Sequence, residues 1–199
     1  MKKRTGILLL LILCLAVTAA WAETVNMNGT WTGDTYENPA LGFGCRLEGW
    51  EPWPAELLAE LVAQSAENEE VELQTLNGMV MEAVSPDGLH NVAILVQDMN
   101  DYAAEYREIT PEEQVESLLE DIESTFDGMD VTNVRAEACG AVLFGQPCPC
   151  LVVQYEFAGV QFYARQAVMQ KDHYWITVNV SCSEEDKTDE ILGMFYLMD

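Results

Sequence analysis

The alternation of apolar and polar positions divides the chain into stretches of helical period separated by stretches of period two. Three segments carry an apolar stripe at helical spacing. In residues 54–65, Leu57, Leu58, Leu61 and Val62 fall on one face. In residues 111–127 the stripe is Val115, Leu118, Leu119, Ile122 and Phe126. This segment opens on Thr110-Pro111-Glu112-Glu113, a capping threonine, a proline at the first helical position and a glutamate three residues after the cap. Gly128 then supplies a stop. The third segment, residues 184–198, has Ser183 as its cap and an acidic first turn that suits the helix dipole.

Between these helices the period drops to two, the signature of strands. Residues 79–84 and the alternating Val92, Ile94 and Val96 flank the turn Ser85-Pro86-Asp87-Gly88. Farther on, Leu151, Val153, Tyr155 and Phe157 share one face, and Val160, Phe162 and Ala164 continue it beyond Ala158-Gly159. A further turn near Lys171-Asp172 leads into Tyr174, Ile176, Val178 and Val180. Gly145-Gln146-Pro147 reads as one more hairpin turn. The order β-β-α-β-β-α-β-β-β-β-α, dominated by hairpins, predicts an α+β domain: a single antiparallel sheet with three helices packed on it.

The first residues change the picture of where the protein works. Lys2, Lys3 and Arg4 precede an apolar run from Ile7 to Val17, which ends at Ala20-Trp21-Ala22. These are the three parts of a secretory signal peptide, and the run is shorter than the ~20 residues of a membrane-spanning helix. The alternative is an anchor that is not cleaved. The bulky Leu13 before Cys14 argues against a lipid-attachment box. The expected organisation is a signal at 1–22, a flexible polar tether at 23–34 and one domain at 35–199. Cleavage near Ala22 leaves six basic residues against thirty-four acidic ones, a net charge of −28. That surface disfavours nucleic acid and anionic lipid, which need clustered Lys and Arg. Nearly half the residues are apolar, enough for a packed core.

Tyr36-Glu37-Asn38-Pro39-Ala40-Leu41-Gly42-Phe43, followed by Leu47-Glu48-Gly49-Trp50, resembles the opening of PsbP-like domains. Those begin Y-x-N-x-x-x-G-F and reach P-x-G-W at the end of the first hairpin; here Glu48 stands where the proline often sits. The strand over 89–99, the Thr110-capped helix, the Gly159-Val160-Gln161-Phe162-Tyr163 hairpin and a helix over 191–196 follow in matching order. The chain is also similar to secreted or lipid-anchored proteins of Gram-positive bacteria. The resemblance implies an α/β/α sandwich, carries over no catalytic residue, and points to proteins that bind or assemble other proteins.

Candidate chemistry is sparse. The two histidines, His90 and His173, sit at hairpin mouths. The motifs G-x-S-x-G, H-E-x-x-H, Walker A and G-x-G-x-x-G do not occur in the sequence. The acidic runs Glu67-Asn68-Glu69-Glu70 and Glu184-Glu185-Asp186 flank predicted helices and lack the interleaved ligands and glycine of a calcium loop. Trp50 reads as core, whereas Trp53, beside Pro52 and Pro54, suits either core or a peptide groove. The face opposite Leu151, Val153 and Tyr155 is expected to carry Cys150, Gln154, Glu156, Gln161, Tyr163, Arg165, Trp175, Thr177 and Asn179. From these, Trp53, Tyr163, Arg165 and Trp175 are the binding candidates.

Once Cys14 leaves with the signal, Cys45, Cys139, Cys148, Cys150 and Cys182 remain, an odd number in a compartment that permits disulfides. Cys148-Pro149-Cys150 is the one redox candidate. On a strand its cysteines point to one side with Cα atoms ~6.6 Å apart, at the upper end of what a disulfide spans. They are expected to be unbonded. The expected function is a non-enzymatic, extracytoplasmic α+β module, monomeric, without cofactor or metal, that binds a protein partner at the cell envelope and is not inserted in the membrane. The alternative is a thiol-disulfide redox or sensor protein using Cys148 and Cys150.

Overall fold

The structure, a computed structural model, describes residues 29–54, 78–101, 107–126 and 129–198. The signal-like segment and the helix expected over 54–65, apart from Pro54 itself, lie outside the described residues. No described helix is long and apolar enough to cross a membrane.

Two antiparallel sheets organise the described chain, where a single sheet was expected. The smaller holds β1 (Thr30–Thr32), β2 (Thr35–Asn38), β3 (Phe43–Arg46) and β11 (Phe195–Leu197), in the order β1-β2-β3-β11. The larger holds β4 (Glu51–Pro52), β5 (Met79–Val84), β6 (His90–Asp98), β7 (Val131–Leu143), β8 (Gln146–Phe157), β9 (Val160–Lys171) and β10 (Tyr174–Ser183). Its order is β4-β5-β6-β10-β9-β8-β7. Two of the three expected helices fall within the described residues. The first is α1 (Pro111–Glu120), continued past Asp121 by α2 (Ile122–Thr125); the second is α3 (Thr188–Leu192).

Three local readings change for identifiable reasons. The tether reading fails at its C-terminal end: β1 pairs with β2, and the Gly29 N–H donates to the buried Tyr36 hydroxyl at 3.1 Å. The helix expected over 184–198 shrinks to α3, because the chain turns at Gly193 and Phe195 enters the core against Phe144. The following residues then pair with β3 as β11. Finally, the β7–β8 turn is Phe144-Gly145, both with positive φ, so β8 starts at Gln146. Two left-handed residues in a two-residue turn match the twist of the flanking strands, and a glycine at the second carries no steric penalty. Pro147 and Pro149 therefore lie inside β8, beyond its last pair with β9, Cys150↔Ala167, where β8 pairs with β7 alone.

The capping box behaves as the sequence reads. The Thr110 hydroxyl accepts from the Glu113 N–H at 3.2 Å, and the Glu113 carboxylate accepts from the Thr110 N–H at 2.8 Å. The apolar stripe of α1 and α2, Val115, Leu118, Ile122 and Phe126, packs on Leu151, Val153, Tyr155, Ala164, Val168 and Trp175. On the other side of the large sheet lies a second core. Tyr36, Phe43 and Cys45 of the small sheet, with Ile191 and Leu192 of α3, meet Met81, Ile94, Val178 and Val180 there. The large sheet is thus covered on both faces, and β6 is buried along almost its whole length.

Candidate functional site

Register decides which side chains meet. In an antiparallel ladder, directly opposite residues share a face, and the next residue along shares the other. One rung of the large sheet runs Cys139–Cys150–Ala167–Val178–Ile94–Met81, facing the small sheet. The adjacent rung runs Ala138–Leu151–Gln166–Asn179–Ala93–Glu82, on the helix-covered face. Cys150 and Asn179, expected on one face, therefore lie on opposite faces. That expectation matched apolar positions in β10 to apolar positions in β8. The match holds only when one face of a sheet is buried, and here both are.

The binding candidates separate accordingly. Tyr163 and Arg165 lie on the face toward the small sheet, where Tyr163 packs on the core. Arg165 is committed to holding α3: its Nε donates to Thr188 Oγ1 at 2.8 Å, and a terminal nitrogen pairs with Asp189 at 2.8 Å. Trp175 is buried on the helix-covered face. Trp53 is half-buried, and its backbone N–H donates to the Glu82 carbonyl at 2.9 Å. The four do not form one surface.

The cysteines do converge. Cys148 and Cys150 face the small sheet from β8, and Cys139 faces the same side from β7. All five described cysteines are free thiols. Burial pushes the Cys150 thiol up to about 12 and the Cys148 thiol up to about 11. That is opposite to the shift that makes a thiolate nucleophile at neutral pH. Cys148 donates to the Ala141 carbonyl at 3.8 Å, and Cys150 donates to the Leu151 carbonyl at 3.5 Å. Among the described residues no cluster of His, Cys, Asp and Glu has the arrangement of a metal site.

The helix-covered rung holds the polar residues that sequence reasoning passed over. Glu82 is buried in β5; one carboxylate oxygen accepts from Asn91 Nδ2 at 2.7 Å, and the other has no partner. Burial pushes its carboxyl up to about 7, while the Asn91 bond opposes the shift. Gln166 Oε1, Asn179 Nδ2, Trp175 Nε1 and the Tyr155 hydroxyl are likewise buried without partners. A cavity of ≈ 10 Å³, at the lower limit for holding one water, lies beside Gln166 and Asn179. A signal for Glu82 was present: it is the single acidic residue in the apolar run Met79-Val80-Met81-Glu82-Ala83-Val84. Only a strand covered on both faces buries such a residue.

The open edge of the large sheet is β7. Among the described residues it pairs with β8 alone, and most of its thirteen residues are exposed, Val134 and Val142 among them. Small residues, Ala136, Ala138 and Gly140, leave its backbone accessible.

No family model and no curated protein sequence matches the chain. Solved structures do. Cyanobacterial PsbP from Synechocystis sp. PCC 6803 is 12% identical, with 85% of this chain and 96% of that one covered at a TM-score of 0.51. A protein of Bacteroides thetaiotaomicron VPI-5482 is 11% identical, covering 85% of this chain and 50% of that one, with a TM-score of 0.47. LpqN of Mycobacterium tuberculosis, involved in cell envelope biogenesis, is 10% identical over 79% of this chain and 83% of its own, with a TM-score of 0.41. The fold of the present chain is PsbP-like.

Proposed function

We propose that the protein is a non-enzymatic binding or assembly module working outside the cytoplasmic membrane, and that it takes an extended segment of a protein partner along β7. The observation that carries this reading is the open edge: thirteen residues of strand, paired on one side among the described residues, most of them exposed. A strand added to such an edge gains main-chain hydrogen bonds for affinity and side-chain contacts at alternate residues for selectivity. Natural edges are usually blunted by lysine, proline or irregularity. In β7 the register is irregular between Thr132 and Arg135 and two exposed charges, Arg135 and Glu137, lie on the edge, while the pairing over 136–143 is regular. The net charge of −25 favours a partner whose docking segment is flanked by basic residues. The basic-apolar-Ala-x-Ala start of the sequence supports the extracytoplasmic setting.

Site-specific photo-cross-linking in producing cells tests the reading. A photoreactive residue at exposed Val142 is expected to give one discrete protein adduct, and the same residue at exposed Glu116 on α1 none. Equal adducts from both positions, or none from Val142, would refute docking on β7.

A further inference from the structure

The thiols facing the small sheet form a cluster in which only one pair has disulfide geometry. Cys139 of β7 and Cys150 of β8 are direct cross-strand partners, so their side chains lie side by side on one face. Opposite residues in an antiparallel ladder have Cα atoms about 4.5–5.5 Å apart, inside the window of about 4.4–6.8 Å that a disulfide requires. Cys148 is opposite Ala141 and therefore only diagonal to Cys139. Its separation from Cys150 along one strand is ~6.6 Å, at the margin of that window. Access differs in the same sense. Cys139 is half-buried on the open edge strand, whereas Cys150 is fully buried and Cys148 nearly so.

We propose that Cys139 and Cys150 are an oxidation site, closing to a cross-strand disulfide in which Cys139 is the entry thiol. The oxidant is a small-molecule disulfide. The Cys139 thiolate attacks one sulfur of the oxidant, forms a mixed disulfide and releases one thiol. Cys150 then gives up its proton and attacks the Cys139 sulfur, breaking the mixed disulfide and releasing the second thiol. Two protein thiols become one disulfide, and the oxidant is reduced to two thiols that carry the two protons. Because burial holds Cys150 as a thiol up to about 12, the second step accelerates as pH rises. A high-pKa sulfur is also a poor leaving group, so the bond, once made, resists reduction. The pair acts as a lock that fastens the edge strand to β8 rather than as a centre that cycles. Cys148, the other half of the Cys-Pro-Cys motif, stays reduced.

The test is differential alkylation and peptide mapping of the folded chain after incubation with oxidised glutathione at pH 8. The expected result is loss of two thiols per chain, both mapped to Cys139 and Cys150, with Cys45, Cys148 and Cys182 still free. Cys148→Ser is expected to leave the bond intact, and Cys139→Ser to abolish it. If Cys139→Ser does not fold, mapping on the unaltered chain decides alone. A Cys148–Cys150 bond, a glutathione adduct that stays on Cys139, or no loss of thiols would overturn the proposal.

Discussion

Two adjacent rungs of the large sheet, one residue out of phase, have opposite characters. Cys139–Cys150–Ala167–Val178–Ile94–Met81 is apolar throughout and packs against the small sheet. Ala138–Leu151–Gln166–Asn179–Ala93–Glu82 is buried as well from Leu151 to Glu82, yet three of its six side chains are polar and each carries an atom without a partner. Burial alone does not separate them; satisfaction does. The apolar rung contributes stability through packing, whereas each orphaned polar group on the other costs about 1–3 kcal/mol. Oxidation chemistry and tight packing thus sit on one face of the sheet, and titration sits on the other.

The largest expected effect belongs to the apolar side. Phe43 is fully buried, with its ring centroid 4.9 Å from that of Phe144. Phe43→Ala removes that contact and leaves a cavity, and is expected to cost about 4 kcal/mol in denaturant unfolding. A loss below about 1 kcal/mol would mean that the small sheet does not share the core of the large one.

Next comes Glu82. Its folded carboxyl titrates at about 7, against 4.5 for the free group. Below pH 4.5 both states are protonated. Between 4.5 and 7 the unfolded chain loses its proton while the folded one keeps it. Stability is therefore highest in acid, falls as pH rises through that window, and levels off above it. The fall is about 3 kcal/mol. Glu82→Gln is expected to remove this slope in unfolding curves at pH 5, 6 and 7.5. A slope unchanged in the variant would assign the pH dependence to the acidic surface.

The same contrast explains what the sequence disclosed. The capped helix at Thr110, the strand over 79–84 and the hairpin at Ala158-Gly159 are written in local chemistry, and the structure keeps all three. Non-local pairing was harder to read. Placing the turn at 145–147 instead of Phe144-Gly145 hid the partner of Cys150. A two-residue turn there pairs Leu143 with Gln146 and, counting back, Cys139 with Cys150. The second sheet was hidden too, because β11 comes from the far end of the chain and only its pairing with β3 reveals it. Tyr163, Arg165 and Trp175 are binding candidates only on an assumed common face, and the register divides them.

The smallest effect gives the sharpest test of the polar side, because it changes one atom. Tyr155 is fully buried, its ring stacked on Phe162 at 5.2 Å and tilted against Phe126 at 5.1 Å. Its hydroxyl has no partner. Tyr155→Phe keeps both ring contacts and deletes only the orphaned group, so it is expected to stabilise the fold by about 1 kcal/mol. That gain requires the hydroxyl to make no bond in the folded state. If the variant unfolds more easily than the parent, the hydroxyl is satisfied in solution. The polar atoms of this face would then belong to an occupied site, and its contrast with the apolar rung would be one of ligand against packing.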